Sequence, residues 1–148
     1  MLIGTYEHSV DAKGRLFIPA KWRDDLGSTM IVTRGFTGKG DYRCLMGMSI
    51  ARFEQLMERY NNVPLADIVT QNALRKLFAM ACECELDKQG RILVSGQLRE
   101  IAAIDRDVAL LGQGKRFEIW DKARWDERQA EDNDVEDSVL AHLAGLGI

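Results

Sequence analysis

Two aspartate–arginine pairs carry the chemistry this sequence has to offer. Asp11 and Arg15 stand four residues apart, as do Asp87 and Arg91, and each pair brackets a glycine in the pattern D-x-x-G-R. A carboxylate that close to a guanidinium can brace it. A braced arginine loses less entropy on meeting a phosphate or the edge of a guanine. Lys13 and Lys88 project from the same segments and add positive charge. That chemistry is recognition of anions and base edges, with no bond made or broken. A turn aspartate followed by a glycine also closes hairpins with no further role, so one copy alone would decide nothing.

Other chemistries find less support. A phosphate loop needs Lys and then Ser or Thr after its last glycine. Gly40 is followed by Asp41 and Tyr42, while Gly114-Lys115 is followed by Arg116 and has Ala109 where the earlier glycine should stand. G-x-S-x-G and H-E-x-x-H are absent, and the chain has two histidines, His8 and His142. Cys82 and Cys84 form a C-x-C pair with no second pair at zinc spacing, and with Cys44 they read as buried thiols. We expect no catalytic residue, no metal, no cofactor and no small-molecule substrate. Arg23, Arg99, Arg75 and Lys76 either extend a positive surface or stand as solvated helix residues. Trp22, Trp120 and Trp125 sit beside apolar positions and read as core or subunit interface.

The elements that position the two pairs are themselves duplicated. Leu16-Phe17-Ile18 answers Ile92-Leu93-Val94, and Arg23-Asp24 answers Arg99-Glu100, at a constant offset from Asp11 to Asp87. A repeat of this size is one supersecondary unit used twice. Each unit reads strand, turn, strand, short helix, two strands, helix. Asp at the first turn position and Gly at the fourth predict that 11–14 and 87–90 are tight hairpin turns, with 15–18 and 91–94 as returning strands. Pro19 opens a short helix that Gly27 stops. Ser49 caps a helix over 50–60, and a second helix over about 65–79 joins the repeats. The glycine-rich stretch 35–40 reads as a loop.

The chain has 148 residues and a formal net charge of −3. From Asp126 onward seven acidic residues face one basic residue, so the body carries +3. Local charge governs contact with DNA, and an acidic tail on a mildly basic body leaves that contact open. No apolar run is long enough to span a membrane, and the start has no signal-peptide pattern, so we expect a cytoplasmic protein.

The run Glu7-His8-Ser9-Val10-Asp11-Ala12-Lys13-Gly14-Arg15, followed by Ile18-Pro19-Ala20-Lys21, resembles the start of the MraZ transcriptional regulators. So do Glu83-Cys84-Glu85-Leu86-Asp87-Lys88-Gln89-Gly90-Arg91 and Phe117-Glu118-Ile119-Trp120 in the second half. The likeness covers about residues 1–127 and leaves the acidic tail outside. It departs at Met46-Gly47-Met48-Ser49, where the family has an aromatic-rich strand end and a proline, and the 35–43 loop is long.

The resemblance implies an α+β fold of two tandem swapped-hairpin AbrB-like β-barrel units, pseudo-twofold related, with flanking helices. It divides the chain into an AbrB-like DNA-binding repeat at 5–51, a helical linker at 52–79, a second repeat at 80–123 and an acidic tail at 124–148. It implies a ring-shaped homo-oligomer on repeated promoter elements of double-stranded DNA ahead of the division and cell-wall gene cluster, and hence a nucleoid-associated protein. The DNA-binding residues it points to are Asp11, Arg15, Asp87 and Arg91, to which the turn lysines Lys13 and Lys88 add. The rival expectation is an antitoxin-like protein-interaction module worked by the tail or the helices.

Overall fold

The computed structural model describes residues 1–35, 43–133 and 136–147. Most of the expected loop at 35–40 and part of the acidic tail therefore lie outside the described residues. Among the described residues the chain is α+β, with an antiparallel sheet and six helices. In order the elements are β1 (Thr5–Ser9), β2 (Arg15–Phe17), α1 (Ala20–Leu26), β3 (Thr29–Arg34), β4 (Leu45–Ser49), α2 (Ile50–Asn61) and α3 (Ile68–Ala79). The second half repeats the series as β5 (Cys82–Glu85), β6 (Arg91–Leu93), α4 (Gly96–Ile101), β7 (Asp107–Gly112), β8 (Phe117–Asp121) and α5 (Lys122–Asn133), and α6 (Glu136–Gly145) follows.

Six strands form one sheet in the order β1-β7-β8-β4-β3-β5, and β2 pairs with β6 as a separate ribbon. Exchanging each strand for its counterpart in the other repeat reverses this order and leaves it unchanged. Turns do form at 11–14 and 87–90, but the strands beside them part company. After Asp11 N–H donates to the Arg15 carbonyl, β1 goes to β7 and β2 to β6, while β5 pairs with β3. The expected local hairpins are thus replaced by pairings between repeats. The reason is burial: units of this size bury too little apolar surface alone. Crosswise pairing lets Leu16 and Ile18 of one repeat and Ile92, Val94 and Leu98 of the other fill a single core with Trp22, Leu110 and Phe117.

α1 and α4 give Trp22, Leu26 and Leu98 to that core, and α2, α3 and α5 cover the sheet's other face. Met46 and Met48 point outward from β4 and pack with Leu77, Phe53, Leu56 and Tyr60 of α2 and α3. Thr33 is fully buried there, and its hydroxyl donates to the Leu77 carbonyl at 2.6 Å. At the far end Trp120 of β8 meets Trp125 of α5 with ring centroids 5.6 Å apart. All three tryptophans therefore serve packing. The expected helix over 65–79 starts later, at Ile68, because Asp67 caps it by accepting from Thr70 N–H at 3.1 Å. The helix after Asp121 runs on through Asp126 to Asn133, so the acidic segment begins within regular structure.

Candidate nucleic-acid interface

Each D-x-x-G-R segment folds into the same hydrogen-bonded turn. Asp11 Oδ1 accepts from the backbone N–H groups of Lys13 (3.0 Å) and Arg15 (2.9 Å). Its Oδ2 takes Nε of Arg15 at 2.6 Å. In the second turn Asp87 Oδ1 accepts from Gln89 and Arg91 N–H, both at 2.9 Å, and Oδ2 takes Arg91 Nε at 2.8 Å. One carboxylate thus sets both the backbone of the turn and the direction of its arginine. The Arg15 backbone bond is the largest cause pulling the Asp11 carboxyl down to about 2, and the side-chain bond to Arg15 adds to it. Asp87 is lowered too, led by the matching bond from Arg91. Both acids are therefore ionised at neutral pH and act as acceptors.

The glycines explain why the motif needs its fourth position. Gly14 and Gly90 have φ of 91° and 82°, a region that costs other residues about 1–2 kcal/mol. They also face arginines of the opposite repeat. A Cβ on Gly90 would lie 2.2 Å from the guanidinium carbon of Arg23, and one on Gly14 would lie 3.1 Å from Arg99 Nη2. Arg23 is itself held by donating Nε to the Ile18 carbonyl at 2.9 Å, and Arg99 by the equivalent bond to Val94 at 3.1 Å. Backbone bonds run the same way, from Ile18 N–H to the Gly90 carbonyl and from Val94 N–H to the Gly14 carbonyl. Arg23 and Arg99 are neither simple solvated helix residues nor free surface charge. Each supports the turn of the other repeat.

The ribbon brings the two turns to one surface. Arg15 pairs with Leu93, Leu16 with Ile92 and Phe17 with Arg91. Leu16 and Ile92 are buried, so alternation sends Arg15, Phe17, Arg91 and Leu93 to the outer face. Lys13 and Lys88 are exposed on the turns themselves. The structure therefore brings all six expected residues, Asp11, Lys13, Arg15, Asp87, Lys88 and Arg91, to the two turns and the ribbon between them. Arg106 joins the first turn, since its carbonyl accepts from Val10 N–H at 2.8 Å. An open groove of about 510 Å³ beside this turn is lined by Asp11 and Asp105 as well as by Arg99 and Arg106. The equivalent bond in the second repeat ends on Ser28.

The remaining reactive side chains are occupied in packing. The Cys44 thiol is pushed well up by burial and then by Glu118, whose carboxylate accepts from Trp120 Nε1 at 3.1 Å. Burial also raises Cys84, to about 11. Thiols so placed stay protonated at neutral pH. His8 sits half-buried on β1, and its pKa is lowered by that burial and by Arg23. Among the described residues no group of three or more His, Cys, Asp or Glu is placed to hold a metal ion. No helix among them is long and apolar enough to cross a membrane.

The amino-acid sequence matches a known family. The family described as "MraZ protein, putative antitoxin-like" matches twice, over residues 1–76 and 77–142. Proteins named transcriptional regulator MraZ are similar along the whole chain. Those of Acetivibrio thermocellus and Caldicellulosiruptor bescii are 39% and 40% identical over 148 residues, covering all of both chains. That of Pediococcus pentosaceus is 37% identical over the same span. The doubled match falls on the two strand-exchanging halves, and the chain belongs to the MraZ family.

Proposed function

We propose that this chain is a sequence-specific DNA-binding transcriptional regulator that works as a homo-oligomeric ring on repeated promoter elements, those ahead of a division and cell-wall gene cluster. The observation that carries the reading is the outer face of the β2–β6 ribbon. It holds Arg15 and Arg91, each braced by its own aspartate and flanked by a turn lysine. Two-stranded ribbons fit the major groove, and arginine forks match guanine O6/N7 and phosphate oxygens. On this reading the two units are swapped-hairpin barrels of the AbrB type, and the protein acts in the cytoplasm at the nucleoid. The relatives' name, transcriptional regulator, agrees with it.

Assembly finds support on a different surface. Leu65, in the turn before α3, and Ile68 and Val69 at its start are 88%, 69% and 81% exposed. Neighbouring apolar side chains this open mark a protein contact, and we read it as the contact between copies in the ring. Several identical ribbons on one ring could hold tandem DNA repeats together, so that weak single contacts suffice.

The test is a mobility-shift titration of the full chain on its own upstream DNA at several salt concentrations. Affinity should fall with salt by a log–log slope of about 0.9 per phosphate neutralised. Arg15→Ala and Arg91→Ala should each weaken binding about five- to a hundredfold while leaving thermal stability near wild type. Unchanged binding in both variants would leave the turns purely structural. Salt-insensitive DNA contact, with a basic partner protein retained, would favour an antitoxin-like interaction module instead.

A further inference from the structure

Beyond the two arginines, the ribbon's outer face holds two partly exposed apolar side chains, Phe17, whose ring lies 6.3 Å from that of His8, and Leu93. Phe17 is 41% exposed and Leu93 58% exposed. The core beneath is already closed by Leu16 and Ile92, which are buried between them. The two apolar residues are pseudo-equivalent, and each stands opposite an arginine, Phe17 facing Arg91 and Leu93 facing Arg15. The Arg91 guanidinium carbon lies 5.8 Å from the centre of the Phe17 ring. The face therefore alternates cation and apolar group in both directions along a short ribbon.

We infer that Phe17 and Leu93 read thymine methyl groups in the major groove, each beside the position read by the arginine it faces. The inference rests on the DNA-binding reading above and adds a specificity element to it. Thymine C5-methyl is the apolar group that base pairs show on the major-groove edge. Side chains two residues apart on a strand are separated by about 7 Å, close to two base-pair steps of 3.4 Å each. One arginine and the apolar residue two positions on thus match a purine acceptor edge and a methyl about two steps away. The pseudo-twofold repeats that pattern in the opposite sense for the other strand. Charge selects the occupant. Asp11 and Asp87 offset the two guanidiniums they brace, and the turn lysines Lys13 and Lys88 leave the ribbon and its turns positive, which suits a polyanion rather than a second copy of the same face.

The experiment compares the full chain on a duplex of its own upstream region with the same duplex carrying deoxyuridine in place of thymidine, which removes the methyls and nothing else. Wild type should bind the uracil duplex more weakly, by about fourfold for each methyl buried. The Phe17→Ala/Leu93→Ala variant should bind both duplexes alike, at the level of wild type on uracil, with an unchanged salt slope and unchanged oligomer size. Equal wild-type binding to both duplexes would overturn the inference while leaving the DNA-binding reading intact. So would a variant that keeps the full thymine preference, or one that loses oligomer size, which would make the face a protein contact. Loss of salt-dependent binding to the thymine duplex by wild type would instead overturn both.

Discussion

Nη1 of Arg91 lies 4.0 Å from Oδ2 of Asp11, a carboxylate of the opposite repeat. The same oxygen takes Arg15 Nε at 2.6 Å, so Asp11 faces both guanidiniums of the ribbon. Among the described residues Asp87 makes no matching approach to Arg15. Asp11→Asn keeps an acceptor for the turn but removes the charge that orients both arginines. It should therefore weaken DNA binding more than Asp87→Asn does, with the fold intact in both. Equal losses in parallel mobility-shift titrations would mean that the contact across the repeats carries nothing.

The Asp11 carboxyl gives the turn a defined acid limit. Its value in the fold, about 2, lies below the usual aspartate value of about 3.9. A group depressed in this way contributes its full stabilisation above the ordinary value and loses it as pH falls from about 4 towards 2. Side-chain carbon NMR should place its midpoint near pH 2. Arg15→Ala should move the midpoint up while leaving it below the ordinary value, because the backbone N–H of residue 15 still donates. A midpoint at the ordinary value in wild type would mean that the brace is not formed in solution.

Arg23 and Arg99 should act at a distance along the chain. Arg23 packs on Gly90 and Arg99 on Gly14, so each substitution should loosen the turn of the other repeat. In Arg23→Ala, amide exchange should speed up at residues 87–90 by several-fold and stay near wild type at 11–14, and Arg99→Ala should show the reverse. Loosening of the turn within the same repeat would show that the helix arginines support their own half instead.

Much of this surface is legible in the sequence because turn chemistry is local. Aspartate, glycine and arginine at fixed offsets specify the turn without reference to anything beyond five residues, and the duplication specifies the order of elements. Partner strands are a different matter. β1 and β2 both carry strand patterns, but which strand each one joins depends on a core shared by segments about 76 residues apart. The roles of Arg23 and Arg99 are hidden for the same reason, although their matching places in the two repeats were a signal. The outward direction of Phe17 and Leu93 follows from simple alternation with Leu16 and Ile92. Gly47 of β4 has a packing role that the sequence does not show. A Cβ there would lie 2.2 Å from the Phe117 ring, so the aromatic ring fills the space a side chain would need.

On the proposed reading the exposed start of α3 serves assembly and the ribbon serves DNA contact, so the two can be tested apart. Ile68 and Val69 follow the capping residue Asp67 and point away from the core, so charged replacements cost little folding stability. Val69→Asp, with Ile68→Glu as a second variant, should reduce the oligomer to smaller species in light scattering while thermal stability stays close to wild type. The turns and ribbon are untouched, so each subunit keeps its intrinsic DNA contacts. Binding to a single repeat element should then match wild type, while binding to the tandem array should fall by about a hundredfold or more as avidity is lost. Loss of single-element binding would place α3 in the DNA contact itself. An oligomer of unchanged size would move the subunit contact to another surface of the ring.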